Sequence, residues 1–164
     1  MPKTLIIVES PTKIKTLQKL LGSDYAFESS YGHIRDLPSS TFGIDFENDF
    51  EPTYKPLPQK KDVIQRLKKA AKTCSSIYLS PDPDREGEAI AWHIRALLGD
   101  LEEKTVKRVA FHSITKDAVD EALSHPKDID MNLVNAQQAR RLLDRIVGYT
   151  ISPLLNRRLK RGRG

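Results

Sequence analysis

A single cysteine, Cys74, stands among 164 residues, so no internal disulfide can form and no cysteine-rich zinc site can be built. That scarcity fits a reducing, cytosolic compartment. No apolar run approaches the roughly 20 residues that span a bilayer, so no membrane role is expected. The opening MPKTLIIVES has too short an apolar run for a secretory signal, and acidic Glu9 ends it. There is no low-complexity tract and no internal repeat. What remains is the composition of a soluble globular chain, 38% hydrophobic and 30% charged. Its length allows one sizeable domain, or one domain with part of another.

Charge is unevenly spread. The net +5 conceals a block from Arg140 to Gly164 with eight Lys or Arg residues against one acid, Asp144. The other 139 residues carry 19 basic and 21 acidic side chains. A basic block of this kind points to a polyanion, most often nucleic acid, because neutralised phosphates release condensed counterions. A solvated basic tail with no specific role is the alternative.

Strand and helix patterns alternate along the first 125 residues. TLIIVES reads as a buried strand. In SPTKIKTLQKLLG, Ser10 suits a helix cap, Pro11 the first helical position and Gly22 the stop. YAFESSYG reads as a second strand, whereas residues 36–59, with Pro38, Pro52, Pro56 and Pro58, read as an irregular loop. A helix is expected from Lys60 to Thr73, then the strand SSIYLS and the amphipathic helix EAIAWHIRALLG, in which Trp92 reads as core. The strand TVKRVAFHS and the helix TKDAVDEALSHP follow. Such alternation implies an open α/β sheet, parallel and linked by right-handed crossovers. After a boundary near residues 126–130 comes one long helix, kinked between Gly148 and Pro153, with no strand behind it.

The densest chemistry lies in SPDPDREGEAIAWH, where Asp82, Asp84, Glu86 and Glu88 fall within seven residues. Four like charges this close repel. Loops at the carboxyl ends of parallel strands form the working crevice of open α/β sheets, and Glu9 ends one strand while Asp82 follows another. If those strands are neighbours, the acids converge and suit Mg2+, a hard cation that takes oxygen ligands. Acids ahead of a helix also cap it and favour its dipole, which explains Asp84 or Glu86 equally well. Glu88 reads as a cap or as a partner of Arg85. Arg85 itself reads either as a phosphate contact or as an offset to its acidic neighbours.

Four stretches, LIIVESPTKIKTLQKLLG, SSYGHIRDLP, DPDREGEAIAWHI and NAQQARRLLDRIVGY, occur in this order in bacterial type IA DNA topoisomerases of the topoisomerase I kind, which the chain resembles over nearly its whole length. The resemblance implies a Rossmann-like Toprim domain over residues 1–128 and the start of a helical DNA-binding domain over 129–164. It implies an enzyme that relaxes negatively supercoiled DNA without ATP: a tyrosine cuts one strand, another strand passes, and the break reseals. No P-loop motif contradicts this.

On that resemblance Glu9 would supply or receive the proton of the 3′ oxygen, and Lys13 would steady the phosphate. Asp82, Asp84 and Glu86, with Glu9, would hold Mg2+, and Arg85 would sit among these catalytic residues. DNA contacts fall to His33, Arg35, Arg108, Arg140, Arg141 and Arg145, with Asp144 orienting an arginine. The expected partners are a single-stranded segment of DNA and the remaining domains of the full enzyme, in the cytoplasm at the nucleoid. Tyr25, Tyr31, Tyr54, Tyr78 and Tyr149 lie in contexts unlike that of the nucleophile. The chain is therefore expected to be an N-terminal piece, inactive in relaxation alone. Two other readings stand beside this one: a Toprim nuclease or nucleotidyl transferase needing no tyrosine, and a non-catalytic nucleic-acid-binding module.

Overall fold

The computed structural model describes residues 3–161. Four parallel strands, β1 (Thr4–Val8), β2 (Tyr25–Ser29), β7 (Ser76–Leu79) and β8 (Thr105–Arg108), form one sheet in the order β2-β1-β7-β8. Of its two inner strands, β1 is the more apolar. Its buried residues divide by the two-residue period of a strand. Leu5 and Ile7 join Ile77 and Leu79 on one face, and Ile6 and Val8 join Val109 and Phe111 on the other. A parallel sheet covered on both faces carries such uninterrupted apolar runs.

Helices fill both faces as the crossovers require. On the first lie α2 (Lys61–Thr73), through Ile64, Leu67 and Ala71, and α3 (Arg85–Leu97), through Ile90, Ala91 and Ile94. On the second lie α1 (Ile14–Leu21), through Leu17, and α4 (Lys116–Ser124), through Val119. The α/β Toprim-like arrangement expected from the sequence is present, with a helical segment after it. That segment is α5 (Met131–Thr150) followed by α6 (Ser152–Arg161), the break falling at Ile151 inside the expected 148–153 window. Leu143, Val147, Ile151, Leu154, Leu155 and Leu159 are exposed along these two helices.

Two local expectations need correction. Ser10 does not cap a helix: its hydroxyl lies 3.0 Å from that of Thr12, and Pro11–Lys13 form a 3₁₀ turn before α1. Residues 36–59 are not irregular throughout. They contain two antiparallel pairs, β3 (Arg35–Asp36) with β6 (Lys55–Pro56), and β4 (Ile44–Asp45) with β5 (Glu51–Pro52). Strand pairs two residues long leave no periodicity to read. Pro52 and Pro56 are tolerated because each lies in the edge strand of a two-strand pair, where one side of the backbone needs no partner.

Candidate active site

Parallel pairing of β1 with β7 brings the two carboxyl ends together. The Ser80 amide donates to the Ile7 carbonyl at 2.7 Å, carrying the pairing past the end of β7. Two residues on, the Asp82 amide donates to Glu9 Oε1 at 2.8 Å. Lys13, one helical turn beyond Glu9, bonds its ammonium to Asp82 Oδ1. The convergence of Glu9 with Asp82 expected from the sequence is therefore present, and Lys13 joins them. Burial raises the Glu9 carboxyl above its ordinary range. The negative charges of Asp82 and Asp84 add to the rise, while the Asp82 amide partly opposes it.

The other acids of the cluster are held separately. Asp84 is the N-cap of α3 and accepts from the Gly87 amide at 2.6 Å, so the helix-capping reading holds for this residue. Glu86 is exposed and faces His33, with 3.2 Å between Oε1 and Nε2. Arg85 is exposed as well. The repulsion is thus relieved by an ammonium, a helix end, an imidazole and solvent. The donors are all carboxylate oxygens, which fit a hard cation. Among the described residues, however, no three His, Cys, Asp or Glu side chains are already grouped to hold a metal ion. A cation taking Asp82 Oδ1 would have to displace Lys13 from it.

Glu88 was expected to cap or to pair with Arg85, and Arg108 to contact DNA. Both expectations fail for the same reason. The two side chains are buried against each other, with Arg108 Nε 2.7 Å from Glu88 Oε1. A guanidinium only 3% exposed reaches no phosphate at the surface.

The arginines of α5 also have partners inside the protein. Arg141 makes two 3.1 Å bonds to the Asp36 carboxylate, so Asp36, and not Asp144, orients it. Burial alone would raise the Asp36 carboxyl, but Arg141 and the Leu37 amide hold it below the ordinary range. Arg145 is buried and donates to the carbonyls of Pro38 and Thr41 at 2.6 and 3.0 Å. It therefore braces the 38–42 loop, which corrects its assignment as a DNA contact. Arg140 and Asp144 are exposed on the same helix.

Arg35 is turned inward too. Its Nε donates to His93 Nδ1 at 2.9 Å, and its guanidinium lies over the rings of Trp92 and Tyr54 at 4.7 and 5.3 Å. Trp92 is therefore half-buried in an aromatic cluster and is not a core residue. His93 escaped sequence reasoning because it sits on the apolar face of α3, where a histidine looks like packing. Accepting at Nδ1 places its proton on Nε2. Burial, then the nearby charges of Arg35 and His33, lower it to about 3. His33, Asp36, Tyr54, Glu86, His93 and Arg141 surround a cavity of about 230 Å3 beside the acidic loop.

A four-stranded parallel sheet with acids gathered at its carboxyl edge is the architecture of a Toprim domain, and a family model for that domain matches residues 4–114. The chain belongs to the Toprim family. Within it, the recognition of a bacterial type IA topoisomerase is borne out by similarity to full-length topoisomerase I from Thermotoga maritima. The two share 48% identity with a TM-score of 0.84, over 92% of this chain and 26% of that one. The chain thus spans about a quarter of that protein's length. No helix among the described residues is long and apolar enough to cross a membrane.

Two outcomes are expected from this geometry. A Cβ at Gly87 would lie 1.8 Å from the Asp82 carbonyl oxygen, a backbone atom that cannot swing away. Gly87→Ala should therefore cost about 1–3 kcal/mol in denaturant unfolding, as overpacking does, and displace the acidic loop. His93 gives a pH signature. Its folded value of about 3 lies below the free value of 6.5, so the unfolded chain binds the proton first. Its contribution is complete above pH 6.5 and is lost as pH falls toward 3. His93→Gln should flatten stability across that window, measured by urea unfolding at each pH. An unchanged slope would mean that the imidazole is not held neutral.

Proposed function

We propose that this chain carries the acidic, Mg2+-using part of a topoisomerase I active site and the first DNA-binding elements beside it. The observation that carries this reading is the meeting of Glu9, Asp82 and Lys13 at the ends of paired parallel strands, in a Toprim-family chain 48% identical to a topoisomerase I over most of its length.

Each group has a task its environment suits. Glu9, with its carboxyl raised by burial and by neighbouring acids, keeps its proton at higher pH than a free carboxylic acid. It can therefore give a proton to a departing 3′ oxygen and take one back on resealing. Lys13 places an ammonium where a phosphate would carry developing charge. Asp82, Asp84 and Glu86, with Glu9, would hold Mg2+, which supplies charge neutralisation at the phosphate. Lys13, held on Asp82 here, would steady the phosphate beside that ion.

DNA is the proposed partner. The exposed cations Arg85, Arg140, Arg157 and Arg158 supply phosphate contacts, with His33 near the reacting centre beside Glu86. On this reading residues 129–164 begin a helical DNA-binding unit. The complete enzyme would relax negatively supercoiled DNA without ATP, in the cytoplasm at the nucleoid, using a tyrosine from outside residues 1–164.

Calorimetric titration with Mg2+ tests the metal site. The chain should bind the ion, and Asp82→Asn/Asp84→Asn should weaken it by more than the about 10–100-fold that loss of a single group supporting a ligand costs. Incubation with single-stranded DNA should leave no tyrosine-linked adduct. An adduct from this chain alone would contradict the reading. Metal-dependent nicking that survives replacement of every tyrosine would favour a Toprim nuclease.

A further inference from the structure

Glu88 takes no part in the chemistry proposed above, yet it is the most deeply buried acid of the 80–93 stretch. Its two oxygens have different partners. Oε1 accepts from Arg108 Nε at 2.7 Å, and Oε2 accepts from the Asp130 amide at 3.2 Å. Arg108 spends its remaining donors on carbonyls at and beyond the end of β7. Nη1 reaches Leu79 at 3.1 Å and Pro81 at 2.6 Å, and Nη2 reaches Asp82 at 2.5 Å. Asp130 is itself the N-cap of α5, its carboxylate accepting from the Asn132 and Leu133 amides.

One peptide unit connects this network to the reacting acid. The Pro81 carbonyl and the Asp82 amide belong to the same planar trans peptide, so they point in opposite directions. Arg108 holds the carbonyl end, and Glu9 receives the amide end at 2.8 Å. A guanidinium has its donors in a rigid fork, so it fixes the plane of the peptide as well as its distance. A buried ion pair gives little net stability compared with apolar packing of the same volume. Its distinctive contribution here is direction.

We propose that Arg108 and Glu88 are positioning residues that aim the Asp82 amide at Glu9 and tie the acidic loop to the first turn of α5. The inference rests on the reading of Glu9 and the loop acids as the reacting centre. It assigns Glu88, through its second oxygen, the task of making the loop and the helix that carries Arg141 move as one body.

Two variants of the 164-residue chain separate this role from a general contribution to stability. In Glu88→Gln the side-chain amide keeps the shape but turns a donor toward either Arg108 or the Asp130 amide. In Arg108→Lys the ammonium can still pair with Glu88 but cannot serve three carbonyls. Amide hydrogen exchange of the metal-free chain should therefore show Glu88→Gln losing protection at both Asp82 and Asp130. Arg108→Lys should lose it at Asp82 alone, with β1 and β7 unchanged in both variants. Mg2+ binding by calorimetry should weaken about tenfold in either variant, as for other groups that orient metal ligands. Unchanged protection of Asp82 in both folded variants would overturn the proposal, as would a uniform rise over the whole sheet. If Glu88→Gln does not fold, Arg108→Lys decides alone. A parent chain that binds no Mg2+ would refute the metal reading, while the exchange pattern would still decide the positioning role.

Discussion

The Asp82 amide donates to the Glu9 carboxylate across 73 positions of sequence, and that bond depends on β1 and β7 pairing in parallel at the centre of the sheet. Parallel neighbours end on the same edge, so residues following each strand must share a crevice. Placing acids there is costly in electrostatic terms. The protein meets the cost with the Lys13 ammonium on Asp82, the N-terminus of α3 under Asp84, and the buried guanidinium of Arg108 behind the loop. The positive groups stand to the side of and behind the acids, which leaves their outer faces to solvent. A site built this way tolerates its own charge.

The same economy governs the segment after residue 130. Arg141 and Arg145 look like a phosphate-binding stripe, yet both grip the 36–42 loop, one through Asp36 and one through backbone carbonyls. Tyr149 adds a bond from its hydroxyl to the Ser39 carbonyl. These contacts join α5 to the loop that carries His33 and Arg35, and Glu88 joins its head to the acidic loop. Two segments distant in sequence are thereby fastened to one helix. Hydrogen bonds from charged groups are stronger than neutral ones, and here they connect pieces far apart in sequence.

Much of the scaffold was legible in the residues. The apolar run of β1, the helical spacing in α2 and α3 and the alternation of strands with helices dictated a parallel sheet with covered faces. The joining of Glu9 to Asp82 followed from a topological rule. What the sequence could not disclose was the choice of partners. Glu88 and Arg108 are 20 residues apart, and Asp36 and Arg141 are 105 apart, so no local spacing marks either pair. Periodicity reports which side chains are covered, but a buried arginine with a buried acid resembles a surface pair until the fold is known. His93 was hidden for the converse reason, since a histidine among apolar neighbours gives no sign that burial and a neighbouring Arg35 hold it neutral. The short strands between residues 35 and 56 were invisible because two residues cannot show a period.

On the proposed reading, the carboxyl edge of β1 and β7 is a cation site built on Glu9, Asp82 and Asp84. Crystals of the chain grown with saturating Mn2+, an oxygen-seeking stand-in for Mg2+, would test it most directly through anomalous scattering. The expected result is a peak within coordination distance of Asp82 and Asp84, beside Glu9, with the Lys13 ammonium displaced from Asp82. A map with Lys13 still on Asp82 and the manganese bound elsewhere, or nowhere, would contradict it.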